Sequence, residues 1–277
     1  MTKLSTSTFY YKPKKPRLAK DEEEANIRDA IEKVHLKFPK SGYRTMKNYL
    51  SRLGIKVGEC RLRRIMKDNN LQAKIKKKFF VTTQSDHGEY IYPNLLPEMG
   101  VDNINQLWVS DITYIRISNG FVFLAVIMDL YSRKIIGWSI SKNIDQELTL
   151  SALNMAIKIR KPPSGVIHHS DRGVQYLAKD YIKVLNDHNF HISCSRKGNP
   201  YDNAFCESLM KTIKSNEVDL KQYRNLNDVL DSLPEFITTV YNTERIHSAL
   251  GYLTPEEFEN KLKYDKEFIT NKPTVII

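Results

Sequence analysis

The chain lacks paired cysteines. Cys60, Cys194 and Cys206 are isolated, their number is odd, and no CxxC occurs. A disulfide framework or a cysteine zinc site is therefore not expected, in keeping with a reducing compartment. Long apolar runs are also missing: none approaches the ~18 residues needed to span a bilayer. The opening MTKLSTSTFYYKPKK has no apolar signal core, so export is not expected and a cytoplasmic location is. There is no internal repeat, low-complexity tract or leucine heptad.

The last absence is of net charge, and it is local. Residues 101–277 hold 21 Lys/Arg and 21 Asp/Glu, whereas residues 1–100 hold 22 and 11. The whole excess of +11 thus lies in the first hundred residues. A basic module joined to a neutral one suits a protein that holds a polyanion with one part and does chemistry on it with the other. The plainer alternative is a solvated, lysine-rich surface. At 277 residues and 41% apolar, the chain can form one large domain or two smaller ones.

Residues 1–20 (with YYKPKKPRLAK) read as a basic arm, and residues 21–80 as three short helices. Asp21 to Glu24 favour the positive end of the first helix. Its apolar stripe is Ile27, Ala30, Ile31, Val34 and Leu36 or Phe38. A second helix fits Tyr43–Leu53 with Met46, Tyr49, Leu50 and Leu53 inward. A third fits Glu59–Asn69, with Leu62, Ile65 and Met66 inward and Arg61, Arg63, Arg64 and Lys67 outward. This pattern predicts a helix-turn-helix-like DNA binder, and those four cations are its candidate contacts. Lys74 to Lys78 follow, and residues 81–104 read as a linker.

From Gln106 the texture changes. Strands fit Leu107–Ile117, Phe121–Asp129 and Lys134–Ser141, with Asn119-Gly120 as the first hairpin turn. Then come a helix over Gln146–Arg160, a strand over Gly165–His169, a helix over Ala178–Asp187, a strand over Phe190–Ser193 and a helix over Pro200–Asn216. Three antiparallel strands followed by helix–strand–helix–strand–helix is the element order of the α/β ribonuclease-H-like fold. The core is expected to run over residues 105–260, including C-terminal helices. Residues 261–277 form a tail with no functional signal.

Three carboxylates stand out: Asp111 in LWVSDITY, Asp171 in VIHHSDRGVQY and Glu207 in NPYDNAFCESLMKTIK, with 35 residues between the last two. Asp111 interrupts an apolar strand, where an ionised group is costly without a metal or a cation. Asp171 follows a strand, where α/β folds place functional groups. Three such oxygens suit Mg²⁺ or Mn²⁺, and two ions can activate a water or hydroxyl and stabilise the leaving oxygen of a phosphodiester.

Asp129 is a rival ligand. A turn at Asn119-Gly120 pairs residues whose numbers sum to 239, so Asp111 opposes Met128 and Asp129 faces away. A structural role with Ser132 and Arg133 is preferred for it. Adjacent His168 and His169 point to opposite faces, so packing or hydrogen bonding is the preferred role. Arg172 and Gly173 either steer the loop, touch phosphate or serve the turn. Asp202 has a capping explanation, with Asn199 as N-cap and Pro200 at the first position. Glu207, Lys211 and Lys214 share a helix face. The two lysines are candidate DNA contacts of the core, with ordinary ion pairing as the alternative, and Arg196–Lys197 form another local basic patch.

The chain resembles the DDE transposases encoded by the second reading frame of insertion sequences in the family typified by insertion sequence three, relatives of retroviral integrases. SGYRTMKNYL and RLRRIMKDNNLQAK resemble its helix-turn-helix-like module. LWVSDITYI, VIMDLYSRKIIGWS, VIHHSDRGVQY, NPYDNAFCESLMKTIK and YNTERIHSALGYLTPEEF resemble its core and C-terminal phrases, in family order.

The resemblance implies that Asp111, Asp171 and Glu207 are catalytic metal ligands of a polynucleotidyl transferase acting on transposon-end and target DNA. It also implies a homo-oligomer, a nucleoid-associated bacterial setting, and an upstream-frame partner or frameshift fusion, since STSTFYY looks like the end of a motif that begins upstream. Leu209 and Met210 stand where the family commonly has aromatic residues and keep the position apolar. Asn242, Arg245 and His247 match the last phrase, and a role in fixing the final helix and turn is preferred. The competing functions are a non-catalytic DNA-binding regulator and a nuclease of the same fold.

Overall fold

A computed structural model describes residues 17–73, 91–96, 99–196 and 200–276. The chain divides into two compact units, residues 1–76 and 77–277. In the first, α1 (Arg17–Lys37), α2 (Tyr43–Arg52) and α3 (Glu59–Asp68) pack Ile27, Ile31, Met46, Leu50, Leu62, Ile65 and Met66 into one core. These are the residues that recur at helical spacing, so the three stripes meet as the sequence predicts.

Three details differ from the sequence reading. Residues 17–20, expected in the arm, are helical. Leu53 is 60% exposed, because α2 ends at Arg52 and Gly54 turns the chain away at φ 77°. Phe38, not Leu36, is inward and stacks on Tyr49 with ring centroids 5.0 Å apart. Lys74 to Lys78 lie outside the described residues.

The second unit is built on a five-stranded sheet of order β4-β3-β2-β5-β6. Its strands are β2 (Leu107–Ile117), β3 (Gly120–Asp129), β4 (Ile135–Ser141), β5 (Ile167–Ser170) and β6 (His191–Cys194). β2, β3 and β4 are antiparallel, and β5 and β6 run parallel to β2.

One face carries α4 (Gln146–Arg160) and α5 (Lys179–Asp187) over Trp108, Ala125, Ile127 and Ile136. The other carries α6 (Ala204–Ile213), α7 (Leu226–Glu235) and α8 (Pro255–Tyr264) over Val109, Ile115, Val122, Leu124, Val126 and Met128. The strands read as nearly continuous apolar runs because both faces are covered.

The first hairpin corrects the predicted turn. Ile117 pairs with Gly120 and Asp111 with Val126, so the turn residues are Ser118-Asn119 and paired numbers sum to 237. The slip is two residues, which preserves the parity of the sheet. Asp111 still faces α6, and Asp129, opposite Trp108, still faces away. Asp129 is structural: its carboxylate accepts the Asn105 N–H at 2.7 Å and the Ser132 N–H and O–H at 3.1 and 3.2 Å.

The predicted helix over Pro200–Asn216 is three pieces: a 3₁₀ turn (Pro200–Asn203), α6, and a wider π turn (Lys214–Val218). Asp202, expected at the third position of the helix behind an Asn199 cap, lies in the 3₁₀ turn ahead of α6. It pairs with Arg196, whose Nη2 lies 2.9 Å from it. Asn199 and Lys197 fall outside the described residues.

Residues 100–101 and 275–276, expected in linker and tail, pair antiparallel as β1 and β7. Asn242 accepts the Ile135 N–H at 3.0 Å and donates to the Ile135 carbonyl at 2.9 Å. It completes the backbone bonding of edge strand β4 there, which is the fixing role preferred from sequence.

The packing of α4 on β4 depends on Gly137. A Cβ there would lie 2.3 Å from the Ala152 carbonyl oxygen and 2.9 Å from the Ala156 Cβ. Backbone blocks it on a rigid helix, so G137A is expected to cost ~1–3 kcal/mol or more. Thermal unfolding checks this; a variant as stable as wild type would show that α4 can move off the sheet.

Candidate active site

Asp111 sits mid-strand on β2, where alternation aims it at the face covered by α6. β5 pairs with β2 in the register Leu107↔Ile167 to Val109↔His169. Asp171 lies two residues beyond the last of these pairs, just past the end of β5. Asp171 leaves the sheet at the end of β5, and its Oδ1 accepts the Gly173 N–H at 2.9 Å. Glu207 lies in the first turn of α6 and is exposed. The dense apolar face of α6 (Cys206, Leu209, Met210, Ile213) holds the helix on the sheet and so fixes where Glu207 can reach.

Asp171 and Glu207 both act electrostatically on Asp111. The Asp111 carboxyl is pushed up to about 8. Burial is the main cause, followed by repulsion from Asp171 and, more weakly, Glu207. The Ile112 N–H, donated to Asp111 at 2.9 Å, and the Lys214 ammonium oppose the shift. The Cys206 thiol is driven well above its ordinary value, by burial first and then by Asp111 and Asp171.

Among the described residues no three His, Cys, Asp or Glu side chains are gathered into a metal-holding cluster as they stand. The donor set nevertheless fits a hard divalent cation. It consists of carboxylate oxygens whose mutual repulsion such an ion would offset.

Around the carboxylates the loops are tied down. Arg172 donates from Nε to the Ser195 carbonyl at 2.8 Å, joining the Asp171 loop to the segment leading into α6. Of the alternatives, loop steering is the one this contact supports. His169 bridges Ser193 Oγ and Ser195 Oγ at 2.8 and 3.0 Å. His168 Nε2 lies 2.9 Å from the Tyr181 hydroxyl. Burial holds both imidazoles far below their ordinary range, His168 to about 3 and His169 to about 4. They serve as neutral packing and hydrogen-bonding groups, as preferred from sequence.

The predicted DNA contacts fare unevenly. Lys214 is half-buried with its Nζ 4.0 Å from the centre of the Tyr114 ring, and burial lowers its pKa against the pull of Asp111. Lys211 is exposed, and among the described residues no ion pair joins it to Glu207. In α3, Arg61 pairs with Glu23 at 2.6 Å, and Arg64 with Glu24 at 2.6 Å and Asp68 at 3.6 Å. The acids read as helix-dipole partners thus neutralise two of the four candidate arginines and lysines. Arg63 instead lies over the Tyr43 ring at 3.8 Å, and Lys67 is exposed one turn further on. Spacing along α3 alone could not reveal this, because the partners lie about forty residues away on α1.

Residues 102–200 match the integrase core domain family, residues 188–255 a second integrase core family, and residues 21–79 an HTH-like domain. The chain is 39% identical over 221 residues to the insertion element IS600 uncharacterized 31 kDa protein of Shigella sonnei, covering 79% of this chain and 81% of that one. It is 39% identical over 197 residues to the transposase InsF for insertion sequence IS3A of Escherichia coli, covering 71% and 68%.

Among solved structures it resembles a simian T-cell lymphotropic virus intasome in complex with PP2A regulatory subunit B56 gamma (TM-score 0.47, 18% identity, 82% and 73% coverage). It also resembles the HTLV-2 integrase catalytic core domain in complex with magnesium (TM-score 0.43, 16% identity, 60% and 98% coverage). No helix among the described residues is long and apolar enough to cross a membrane.

Proposed function

The chain belongs to the transposases of the insertion-sequence-three type, which carry an integrase core and an HTH-like domain, and on that premise we propose that Asp111, Asp171 and Glu207 are its catalytic carboxylates. The observation that carries this is the electrostatic convergence of the three groups on Asp111. A strand, the end of its parallel neighbour and the first turn of a helix deliver them from separate parts of the chain.

The donor set would hold Mg²⁺ or Mn²⁺, as two ions. When bound, the metal supplies Lewis acidity at the scissile phosphate and eases deprotonation of the attacking oxygen. The chain's own residues place and poise the site. The Ile112 and Gly173 N–H groups orient the carboxylates of Asp111 and Asp171. Arg172 holds the two loops together, and Lys214 sets a positive charge beside the Asp111 end of the site.

The first reaction is attack of water at a transposon-end phosphodiester, which breaks the P–O3′ bond and frees a 3′-hydroxyl. The second is attack of that hydroxyl on a target phosphodiester, which forms one P–O bond and releases another 3′-hydroxyl. Each exchange conserves the phosphodiester or hydrolyses it, so no nucleotide triphosphate is needed. The HTH-like unit would hold double-stranded DNA, with Arg63 and Lys67 better placed for phosphate contact than the acid-paired Arg61 and Arg64. Pairing two transposon ends calls for at least a dimer, and an upstream-frame product would share in end recognition.

The test is a strand-transfer assay with labelled pre-cleaved ends, plasmid target and Mg²⁺ or Mn²⁺, run with Glu207→Gln beside wild type and repeated with the upstream-frame product in trans. Joined product lost in the variant is expected. Equal product from both proteins would remove Glu207 from the site. Metal-dependent cutting without joining in any mixture would favour a nuclease.

A further inference from the structure

Two residues before Asp171, a buried imidazole is held at both ring nitrogens. His169 Nδ1 lies 2.8 Å from Ser193 Oγ, and its Nε2 lies 3.0 Å from Ser195 Oγ. Both serines are themselves buried. The Ser193 hydroxyl also accepts the Leu95 N–H at 3.0 Å, and the Ser195 hydroxyl has the Ser170 carbonyl 3.4 Å away to donate to. A neutral imidazole offers one donor and one acceptor nitrogen. One order uses every hydrogen in this row. The Leu95 N–H goes to Ser193, the Ser193 O–H to Nδ1, the Nε2–H to Ser195, and the Ser195 O–H to the Ser170 carbonyl. In that order His169 carries its proton on Nε2 and holds the Ser195 side chain as a donor.

Ser195 in turn brackets Asp171. Its N–H donates to the Ser170 carbonyl at 2.9 Å, and its own carbonyl accepts the Arg172 Nε–H at 2.8 Å. The residues on either side of Asp171 are thus tied to the same residue of the neighbouring segment. β6 ends at Cys194, whose partner is Ser170, so Ser195 stands just past the last rung of the ladder. Its side chain supplies a tie that the strand pairing no longer gives, and His169 is the group that holds it.

A ligand must be kept within ~0.5 Å of its productive place by the residues around it. Groups that orient a ligating side chain are worth about 10–100-fold in metal affinity. We propose that His169, acting through Ser195, is a positioning residue for Asp171 and raises the affinity of the carboxylate site for its divalent metal. The inference rests on the reading of Asp171 as a metal ligand and deepens it, by naming what fixes that ligand's backbone. The adjacent His168, bonded to Tyr181 on α5, takes no part.

The experiment is Mn²⁺ titration of the full chain, read by the electron paramagnetic resonance of the free ion, for wild type, S195A, H169F and D171N. S195A and H169F are expected to bind Mn²⁺ at least tenfold more weakly, within the ~10–100-fold range of such supports. In a mixture where wild type is active, strand transfer by S195A should recover as Mn²⁺ is raised, which a merely structural defect would not allow.

An arm on wild-type protein is independent of how the variants fold. Its nitrogen-15 spectrum should show the His169 proton on Nε2 and a bare, accepting Nδ1. A proton on Nδ1 would reverse the row and overturn the proposal. So would wild-type Mn²⁺ affinity in S195A, or strand transfer by S195A that stays low at saturating metal. Equal Mn²⁺ binding by wild type and D171N would instead remove Asp171 from the metal site, and with it the reading on which the proposal stands.

Discussion

Asp111→Asn is expected to reduce strand transfer to background while making the metal-free protein more stable. The two effects have one cause. In the fold the Asp111 carboxyl is raised from the ordinary carboxylate range to about 8, by burial and by repulsion from Asp171 and Glu207. A carboxyl whose pKa rises on folding binds its proton more tightly in the folded state. Its contribution to stability is therefore fully present below its unfolded pKa and is lost as pH rises through about 8.

Asparagine keeps the shape and can still accept the Ile112 N–H, but it carries no charge to repel its neighbours. In a chelator, D111N should match wild type near pH 4 and exceed it by roughly 1–3 kcal/mol at pH 8. That figure is set well under the full linkage value, which is ~1.4 kcal/mol for each pH unit between the ordinary and the raised pKa, because Asp111 is only half-buried. Adding Mg²⁺ should stabilise wild type and leave the variant unchanged. Denaturant melts at the two pH values, with and without metal, check this. A D111N protein that is less stable than wild type in chelator at pH 8, or that is still stabilised by Mg²⁺, would show that Asp111 is a structural acid.

The second large effect lies away from the chemistry. Glu259 on α8 is 2% exposed and meets Arg160, at the end of α4, which is 10% exposed. Arg160 Nη1 donates to it at 3.0 Å and Nη2 forms the second prong of a forked pair, while Lys134 reaches it at 3.3 Å and also pairs with Glu256. Burial alone would raise the Glu259 pKa, but the Arg160 and Lys134 charges hold it below its ordinary value.

Glu259→Ala would leave a buried guanidinium unpaired. The expected loss is ~3–5 kcal/mol. Because the pKa is depressed, the carboxylate's contribution is present above the ordinary glutamate range and lost as pH falls below it. The double variant Arg160→Met with Glu259→Leu should recover much of the loss, since apolar packing replaces the pair without leaving a charge behind. A single-variant loss below about 1 kcal/mol would mean that the ion pair does not lock α8 to the core.

The sequence by itself determined most of the elements and singled out the three candidate carboxylates. Period-two and period-3.6 apolar patterns are local, and they placed β2 over Leu107–Ile117 and α4 over Gln146–Arg160 with the bounds seen in the structure. Even the two-residue error in the first hairpin kept Asp111 on the correct face, because side-chain alternation depends only on parity. An aspartate in an apolar strand and another just past a strand announce themselves as costly, whatever lies around them.

What only the tertiary structure decided is partnership. That Glu23 and Glu24 neutralise Arg61 and Arg64, and that Arg133 stands over Phe205, are contacts between segments distant in sequence. The joining of expected linker and tail by Gly100–Val101 and Val275–Ile276 is of the same kind. A charge written in the sequence is the same charge whether it faces DNA, water or an acid forty residues away, and only the folded chain fixes which of these it meets.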